Sequence, residues 1–205
     1  MTPKVEFHFD FGSPNAYFAH KVIPQIEQRT GVKFQYVPVL LGGVFKLANN
    51  ASPIVAFKDT KAKLDYMKIE SYRFVKKHGL TKFKMNPNFP VNTVQIMRGA
   101  VAAEMDGQFD KYVDAAFRGM WEEGLKMDDA EVIRSALDVA GLDGARTLAR
   151  IQDQEVKEKL LKNTEATVAR GTFGAPTFFV GNEILFGKDK LRDVEEEIEA
   201  LKTHA

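Results

Sequence analysis

Residues Gly12, Ser13 and Pro14 place a hydroxyl group between a predicted strand and a predicted helix. Serine is a preferred helix N-cap, and proline suits the first helical position. The backbone N–H groups and the dipole at this end of a helix favour an anion by about 0.3–1 kcal/mol. A thiolate is such an anion, so Ser13 is either a simple N-cap or a group that stabilises a bound thiolate.

The chain contains no cysteine. This composition excludes a structural disulfide, a thiolate zinc site, a cysteine nucleophile and thiol–disulfide exchange by the chain itself. Any thiol chemistry at Ser13 therefore needs a thiol that belongs to a ligand. The histidines, His8, His20, His78 and His204, do not have metal-ligand spacing, and we predict no metal site.

The first residues predict a β-α-β unit. Apolar side chains alternate with polar ones over residues 5–11, which is typical of a strand with one buried face. We expect a helix over residues 14–29 and a second strand, parallel to the first, over residues 33–41.

The last residues predict a β-hairpin and a helix. Residues 177–180 and 184–186 have strand composition, and Gly181 and Asn182 form the turn between them. An amphipathic helix is expected over residues 189–201.

The middle of the chain has helical periodicity and few β-branched runs. The candidate helices cover residues 54–78, 93–106, 108–123, 129–140, 143–150 and 155–170. The order β-α-β, helical block, β-β-α predicts an α/β protein with a thioredoxin-like fold. We expect residues 1–41 and 172–205 to form the thioredoxin-like domain and residues 42–171 to form an inserted all-helical domain over its active-site edge.

A proline precedes the third predicted strand in Gly174-Ala175-Pro176-Thr177. A proline in a tight turn before a strand is a place to suspect a cis peptide bond. In a thioredoxin-like fold such a turn presents the N–H and C=O of the preceding residue, here Ala175, to a peptide ligand. The alternative is an ordinary loop.

Composition limits the partners of the chain. There are 29 basic and 28 acidic residues, so no large net charge attracts nucleic acid or an anionic membrane. No apolar run reaches the length of a membrane span, and no signal segment precedes the first strand. From these features we expect a soluble cytoplasmic protein with no nucleic-acid or membrane partner.

Six short motifs in order give the chain a family resemblance. They lie at residues 11–17, 42–46, 63–66 with Arg73, 89–93 with Arg98, 174–178 and 186–189. Together they resemble the 2-hydroxychromene-2-carboxylate isomerase and kappa-class glutathione transferase family, a branch of the disulfide-oxidoreductase-like thioredoxin superfamily. The resemblance covers essentially the whole chain.

The resemblance implies glutathione as cofactor and Ser13 as the catalytic residue that hydrogen-bonds its sulfur. It implies that Ala175 pairs with the cysteinyl backbone of glutathione and that Lys188 and Asp189 hold its γ-glutamyl end. Asn50 and Lys63 would meet the glycyl end or the substrate. The implied cofactor-binding residues are Ser13, Asn50, Lys63, Ala175, Pro176, Gly187, Lys188 and Asp189.

Several of these residues also have structural interpretations. Asp189 is otherwise an acid in the first turn of a helix, and Lys63 a solvated surface lysine. Residues 89–93 are equally a loop whose Asn92 or Thr93 caps the next helix. Tyr17 and Trp121 line an aromatic pocket or simply fill the core.

The resemblance implies an isomerase that converts 2-hydroxychromene-2-carboxylate to trans-o-hydroxybenzylidenepyruvate in aromatic hydrocarbon catabolism. The glutathione thiolate would add to the substrate and later leave, so that glutathione is not consumed. One alternative is a kappa-like glutathione transferase that conjugates electrophiles. Another is a noncatalytic peptide-binding module or chaperone. The resemblance also implies a homodimer.

Overall fold

The structure, a computed structural model, describes residues 2–203; His204 lies outside them. In this range one four-stranded sheet has the order β2-β1-β3-β4. Strand β1 (Val5–Phe9) pairs in parallel with β2 (Phe34–Pro38) and antiparallel with β3 (Thr177–Val180). Strand β3 pairs antiparallel with β4 (Glu183–Phe186). The predicted parallel pair and the predicted hairpin are both confirmed.

Helices occupy most of the remaining chain. They are α1 (Pro14–Thr30), α2 (Leu41–Leu47), α3 (Pro53–Ala56), α4 (Lys61–His78), α5 (Val94–Met105), α6 (Phe109–Arg118), α7 (Ala130–Val139), α8 (Gly144–Arg150), α9 (Gln154–Ala169) and α10 (Leu191–Thr203). A π-helical turn, Gly119–Glu123, continues α6, and a 3-10 turn, Lys188–Lys190, precedes α10. None of the helices in the described range is long and apolar enough to cross a lipid bilayer.

The first two strands are shorter than predicted. Strand β1 ends at Phe9 rather than at residue 11, and β2 ends at Pro38 rather than at residue 41. The cause is Asp10, whose carboxylate accepts the backbone N–H of Leu41 at 2.7 Å. This contact starts helix α2 where the sequence predicted the end of a strand.

Two predicted helices are interrupted. The helix predicted over residues 54–78 is divided into α3 and α4. A turn separates them, in which the Thr60 N–H donates to the Phe57 carbonyl at 2.9 Å. The helix predicted over residues 108–123 is α-helical only to Arg118. The π-helical turn follows, and after it the Leu125 N–H donates to the Gly119 carbonyl at 2.8 Å.

Aromatic side chains fill the centre of the fold. Phe7 stacks on Phe178 at 5.4 Å between ring centroids, and Phe9 packs on Phe117 at 5.7 Å. The hydrophobic cluster of buried residues is continuous from the sheet, through α1 and α10, into helices α5, α6, α7 and α9. The helical segment therefore shares its core with the sheet, and the proposed division at residues 42 and 172 stays a prediction.

Candidate active site

Ser13 links the two halves of the chain. Its side chain is buried, and its Oγ donates to the Ala175 carbonyl oxygen at 2.9 Å. The same Oγ accepts the Ala16 N–H at 3.2 Å, so Ser13 is the N-cap of α1 as the sequence predicts. The hydroxyl therefore lies between the positive end of α1 and the turn before β3.

The turn before β3 has the geometry suspected from its proline. The Ala175–Pro176 peptide bond is cis. The Pro176 carbonyl accepts the Gly187 N–H at 2.9 Å, which fixes the start of the final segment against this turn. Within residues 2–203 the Ala175 backbone N–H has no hydrogen-bond acceptor. This N–H is a free donor beside Ser13 for the backbone of an extended peptide.

Asp10 organises the Ser13 turn, and sequence reasoning missed it. One carboxylate oxygen accepts the Gly12 N–H at 2.8 Å. The other accepts the Leu41 N–H at 2.7 Å and the Thr93 hydroxyl at 3.1 Å. Burial raises the pKa of the Asp10 carboxyl, while the hydrogen bonds from Leu41, Gly12 and Thr93 act to lower it. One carboxyl group thus connects the starts of α1, α2 and α5.

A local signal could have identified part of this arrangement. An Asp two residues before a Gly commonly bonds the backbone of that Gly in a turn. The bonds to Leu41 and Thr93 have no such signal, since they join residues 31 and 83 positions apart.

Two side chains of the π-helical turn contact the segment around Ser13. The indole Nε1–H of Trp121 donates to the Phe11 carbonyl at 2.7 Å. The Tyr17 hydroxyl donates to Glu122 at 3.0 Å, and burial, followed by the charge of Glu122, raises the pKa of Tyr17. Tyr17 and Trp121 are fully buried, so they belong to the core and do not line an open pocket.

The second cis peptide bond lies in the loop before α5, at Phe89–Pro90. Of the two cap candidates in this loop, Asn92 accepts the Val94 N–H at 3.0 Å. The Thr93 hydroxyl instead donates a hydrogen bond to the Asp10 carboxylate. Thr93 occupies the N-cap position of α5 without a capping side-chain bond, so of the two candidates only Asn92 binds the start of the helix.

Lys188 and Asp189 are connected to the Ala175–Pro176 turn through Gly187, whose N–H donates to the Pro176 carbonyl. They follow Gly187, whose φ of 98° is a conformation that favours glycine. Lys188 is buried, and its Nζ lies 2.6 Å from the Asp189 carboxylate and 5.3 Å from the Phe74 ring centroid. Asp189 is exposed, and it belongs to the 3-10 turn before α10 rather than to the helix itself.

Asn50 and Lys63 differ in how they relate to the turn. The Asn50 side-chain amide donates to the Phe173 carbonyl at 2.9 Å, two residues before Ala175. Lys63 is exposed, and its Nζ lies 3.6 Å from the Phe57 ring centroid. Within the described residues Lys63 has no hydrogen bond or ion pair to Ser13 or to the Ala175–Pro176 turn. Contacts link the other predicted residues to this turn directly or through a neighbour.

The assembled groups suit one kind of ligand. A helix N-terminus and a buried hydroxyl favour an anion, and the free Ala175 N–H suits an extended peptide. An exposed carboxylate at Asp189 suits an ammonium group. No group of three or more His, Cys, Asp or Glu residues in positions 2–203 has the geometry of a metal site.

Comparisons with known proteins agree with this fold. The family model described as DSBA-like thioredoxin domain matches residues 4–199. The 2-hydroxychromene-2-carboxylate isomerase of Pseudomonas putida is 28% identical over 189 residues, which are 91% of this chain and 90% of that protein. The rat (Rattus norvegicus) protein named glutathione S-transferase kappa 1 is 25% identical over 92% of this chain and 88% of its own length.

A solved structure of a 2-hydroxychromene-2-carboxylate isomerase superposes with a TM-score of 0.82 and 27% identity. It covers 98% of this chain and 96% of that one. The resemblance that the six motifs indicate is therefore confirmed, as is the thioredoxin-like fold.

Proposed function

The chain belongs to the DSBA-like thioredoxin domain family, and on this basis we propose that it is a glutathione-dependent isomerase. The proposed reaction converts 2-hydroxychromene-2-carboxylate to trans-o-hydroxybenzylidenepyruvate. Relatives of nearly the same length are named as this isomerase, one of them at 28% identity. The observation that carries the proposal is the hydrogen bond between Ser13 and Ala175 in a chain without cysteine.

The residues around Ser13 fit glutathione. The Ala175 N–H is free to pair with the cysteinyl backbone, and Ser13, the N-cap of α1, contacts the carbonyl of the same residue. Asp189 offers a carboxylate to the γ-glutamyl ammonium, and the buried Lys188 ammonium holds this carboxylate in place. Asn50 joins the group through the Phe173 carbonyl, while the Lys63 ammonium lies on the Phe57 ring.

Bound glutathione would supply a thiolate that adds to the substrate and leaves again. The chain's part is to keep this sulfur ionised. In the structure the Ser13 hydroxyl donates to the Ala175 carbonyl, and rotation about its C–O bond would direct this donor to an anion at the same helix end. A hydrogen bond to a charged group contributes about 1.5–3 kcal/mol, more than the helix dipole alone.

Burial of the Ser13 turn contributes to the same effect. Ser13 and Ala175 are both buried, so few water molecules compete for the hydroxyl or for the Ala175 N–H. Asp10 accepts the N–H and Trp121 donates to the C=O of the Phe11–Gly12 peptide, which fixes the backbone just before Ser13. A preorganised donor of this kind stabilises a thiolate both as attacking and as leaving group.

A kappa-like glutathione transferase is the second candidate, because the rat relative is named as one. This reaction would use the same residues and would release a conjugate of glutathione. The two candidates differ in whether glutathione is consumed.

Three further properties belong to the proposal. We propose a homodimer, a cytoplasmic location and a place in aromatic catabolism. We also propose the domain division at residues 42 and 172. Sedimentation velocity of the purified protein tests the homodimer directly.

A turnover assay tests the proposed reaction. The absorbance of 2-hydroxychromene-2-carboxylate is followed with purified protein, with and without a small amount of glutathione, and the products are analysed by mass spectrometry. The proposal expects many turnovers for each glutathione molecule and no conjugate. Stoichiometric conjugate would support the transferase, and turnover without glutathione would reject both candidates.

A further inference from the structure

A cavity of the described chain has a lining that does not include Ser13. It has a volume of about 420 Å³ and lies between α2, α5 and α9. Its apolar walls include Leu40, Leu47, Val94, Leu160 and Leu161. Neither Ser13, Ala175 nor Lys188 lines this cavity, which we call the α2–α5–α9 cavity.

Arg98 lines the α2–α5–α9 cavity and differs from the other arginines in having no ion pair within the described residues. Every other arginine has an Asp or Glu side chain within ion-pair distance. Within residues 2–203 Arg98 has no such carboxylate and no side-chain hydrogen bond, although it is half-buried. A guanidinium group removed from water gains stability from an anionic partner, so the cavity presents a cation without its counter-charge.

Two lysines add to the positive charge of the cavity. Lys46 on α2 and Lys157 on α9 line it, and neither has a carboxylate within ion-pair distance in the described chain. Two acids are also present, Glu158 and Glu165, and Glu158 is hydrogen-bonded by Gln154 at 2.9 Å. The cationic groups come from three different helices and surround apolar walls.

We propose that the α2–α5–α9 cavity binds a small organic carboxylate with an apolar body. The fork of N–H groups on Arg98 matches a carboxylate with two parallel hydrogen bonds. The leucine and valine walls suit an aromatic or aliphatic body, as in most small-molecule pockets. Lys46 and Lys157 balance Glu158 and Glu165, so that the charge of Arg98 is left for the anion.

The cavity touches the support of the Ser13 turn. Leu40 and Val94 in its wall are the chain neighbours of Leu41 and Thr93, the two donors to one oxygen of Asp10. The ligand would thus contact residues adjacent in sequence to two of the donors that hold Asp10. The proposal does not depend on the proposed isomerase, because binding is measured without turnover.

Isothermal titration calorimetry with sodium 2-naphthoate tests this site. The expected result is saturable binding to the intact protein, weakened about tenfold or more by Arg98→Gln, since a charge-assisted hydrogen bond is lost. Arg192→Gln is the matched control, because Arg192 is exposed on α10 and pairs with Glu196. This control should bind 2-naphthoate like the unaltered chain.

The neutral 2-naphthylmethanol separates charge recognition from apolar contact, and the proposal expects much weaker binding of this alcohol. Ser13→Ala and saturating glutathione should leave 2-naphthoate binding unchanged. Should Arg98→Gln fail to fold by circular dichroism, Lys46→Gln at an exposed position replaces it and should weaken binding several-fold. Equal binding by the Arg98 or Lys46 variant, equal binding of the alcohol, displacement by glutathione, or no saturable binding would each overturn the proposal.

Discussion

The Ser13 hydroxyl donates to the Ala175 carbonyl at 2.9 Å, across 162 positions of sequence. A hydroxyl has one proton to give, and here it is given to the backbone of the turn that is proposed to receive glutathione. The first helix and the turn before β3 are therefore held together by a bond that an anion at the helix end can replace. The candidate site combines residues from both ends of the chain in this single contact.

Ser13→Ala removes the proton donor and the N-cap. We expect turnover to fall by about 10- to 100-fold, because a hydrogen bond to a charged group is lost. The free energy of unfolding should fall by only about 1 kcal/mol, the usual effect of losing an N-cap. Ser13→Thr keeps a hydroxyl and is the control. Steady-state kinetics and urea unfolding of both variants measure these effects, and full activity in Ser13→Ala would refute the role.

Asp10→Asn keeps the size of the side chain but loses acceptors. An amide has one accepting oxygen, so either the Gly12 N–H or the Leu41 N–H and Thr93 hydroxyl together lose their acceptor. We expect about 1–3 kcal/mol of lost stability, since buried donors lose their partners. Turnover measured well below the unfolding transition should also fall, because the Gly12 turn positions Ser13.

Thr93→Val is the matched control for Asp10. It removes one of the three donors to the carboxylate and leaves the backbone bonds to Gly12 and Leu41 intact. Its stability and turnover should lie between those of the unaltered chain and those of Asp10→Asn. If Asp10→Asn changed neither quantity, Asp10 would have no positioning role.

His8 should make the stability depend on pH. It is buried, neither ring nitrogen has a hydrogen-bond partner, and burial lowers its pKa to about 4. An unfolded histidine has a pKa of about 6.5, so the unfolded chain binds more protons between these values. Above about pH 6.5 His8 does not reduce the free energy of unfolding. As the pH decreases towards 4, protonation of the unfolded chain lowers this free energy by roughly 3 kcal/mol.

The pH effect of His8 is measured by urea unfolding at a series of pH values. His8→Phe removes the titrating group and keeps an aromatic ring beside Phe179, which packs on His8 at 4.9 Å between ring centroids. The slope of stability between pH 4 and 6.5 should become smaller in this variant. An unchanged slope would mean that another group causes the acid sensitivity.

Asp189→Asn should weaken glutathione binding by about tenfold, because it removes the carboxylate proposed for the γ-glutamyl ammonium. Asp193→Asn is the control, since Asp193 is a nearby acid that pairs with Lys190 in the same manner. Calorimetric titration with glutathione measures both variants. Thermal unfolding accompanies it, because Lys188 is buried and loses its partner in the first variant. Equal affinities for the two variants would remove Asp189 from the site.

The elements that depend on local pattern could be predicted from the sequence. The alternation over residues 5–11, the Ser13-Pro14 start of α1 and the proline before Thr177 identified the two ends of the fold and the Ser13–Ala175 side of the site. The resemblance then implied glutathione as the ligand, which remains a proposal, together with the remaining candidate residues.

The features that depend on distant contacts could not be predicted. Helix α2 begins where Asp10 binds Leu41. The Trp121 indole in the π-helical turn donates to the Phe11 carbonyl, 110 positions earlier in the sequence. Lys63 matches a family motif, but its actual place is set by packing on Phe57. The α2–α5–α9 cavity likewise combines three helices whose sequence patterns show only their own buried faces.

The ionisation of the glutathione thiol on the protein tests the central claim most directly. The thiolate absorbs in the ultraviolet, and its signal is titrated against pH for free glutathione, for the complex and for the complex with Ser13→Ala. The predicted result is a thiol pKa well below that of free glutathione in the complex, and a pKa that returns most of the way in Ser13→Ala. An unshifted pKa in the complex, or an equal shift in the variant, would contradict the claim that Ser13 holds the thiolate.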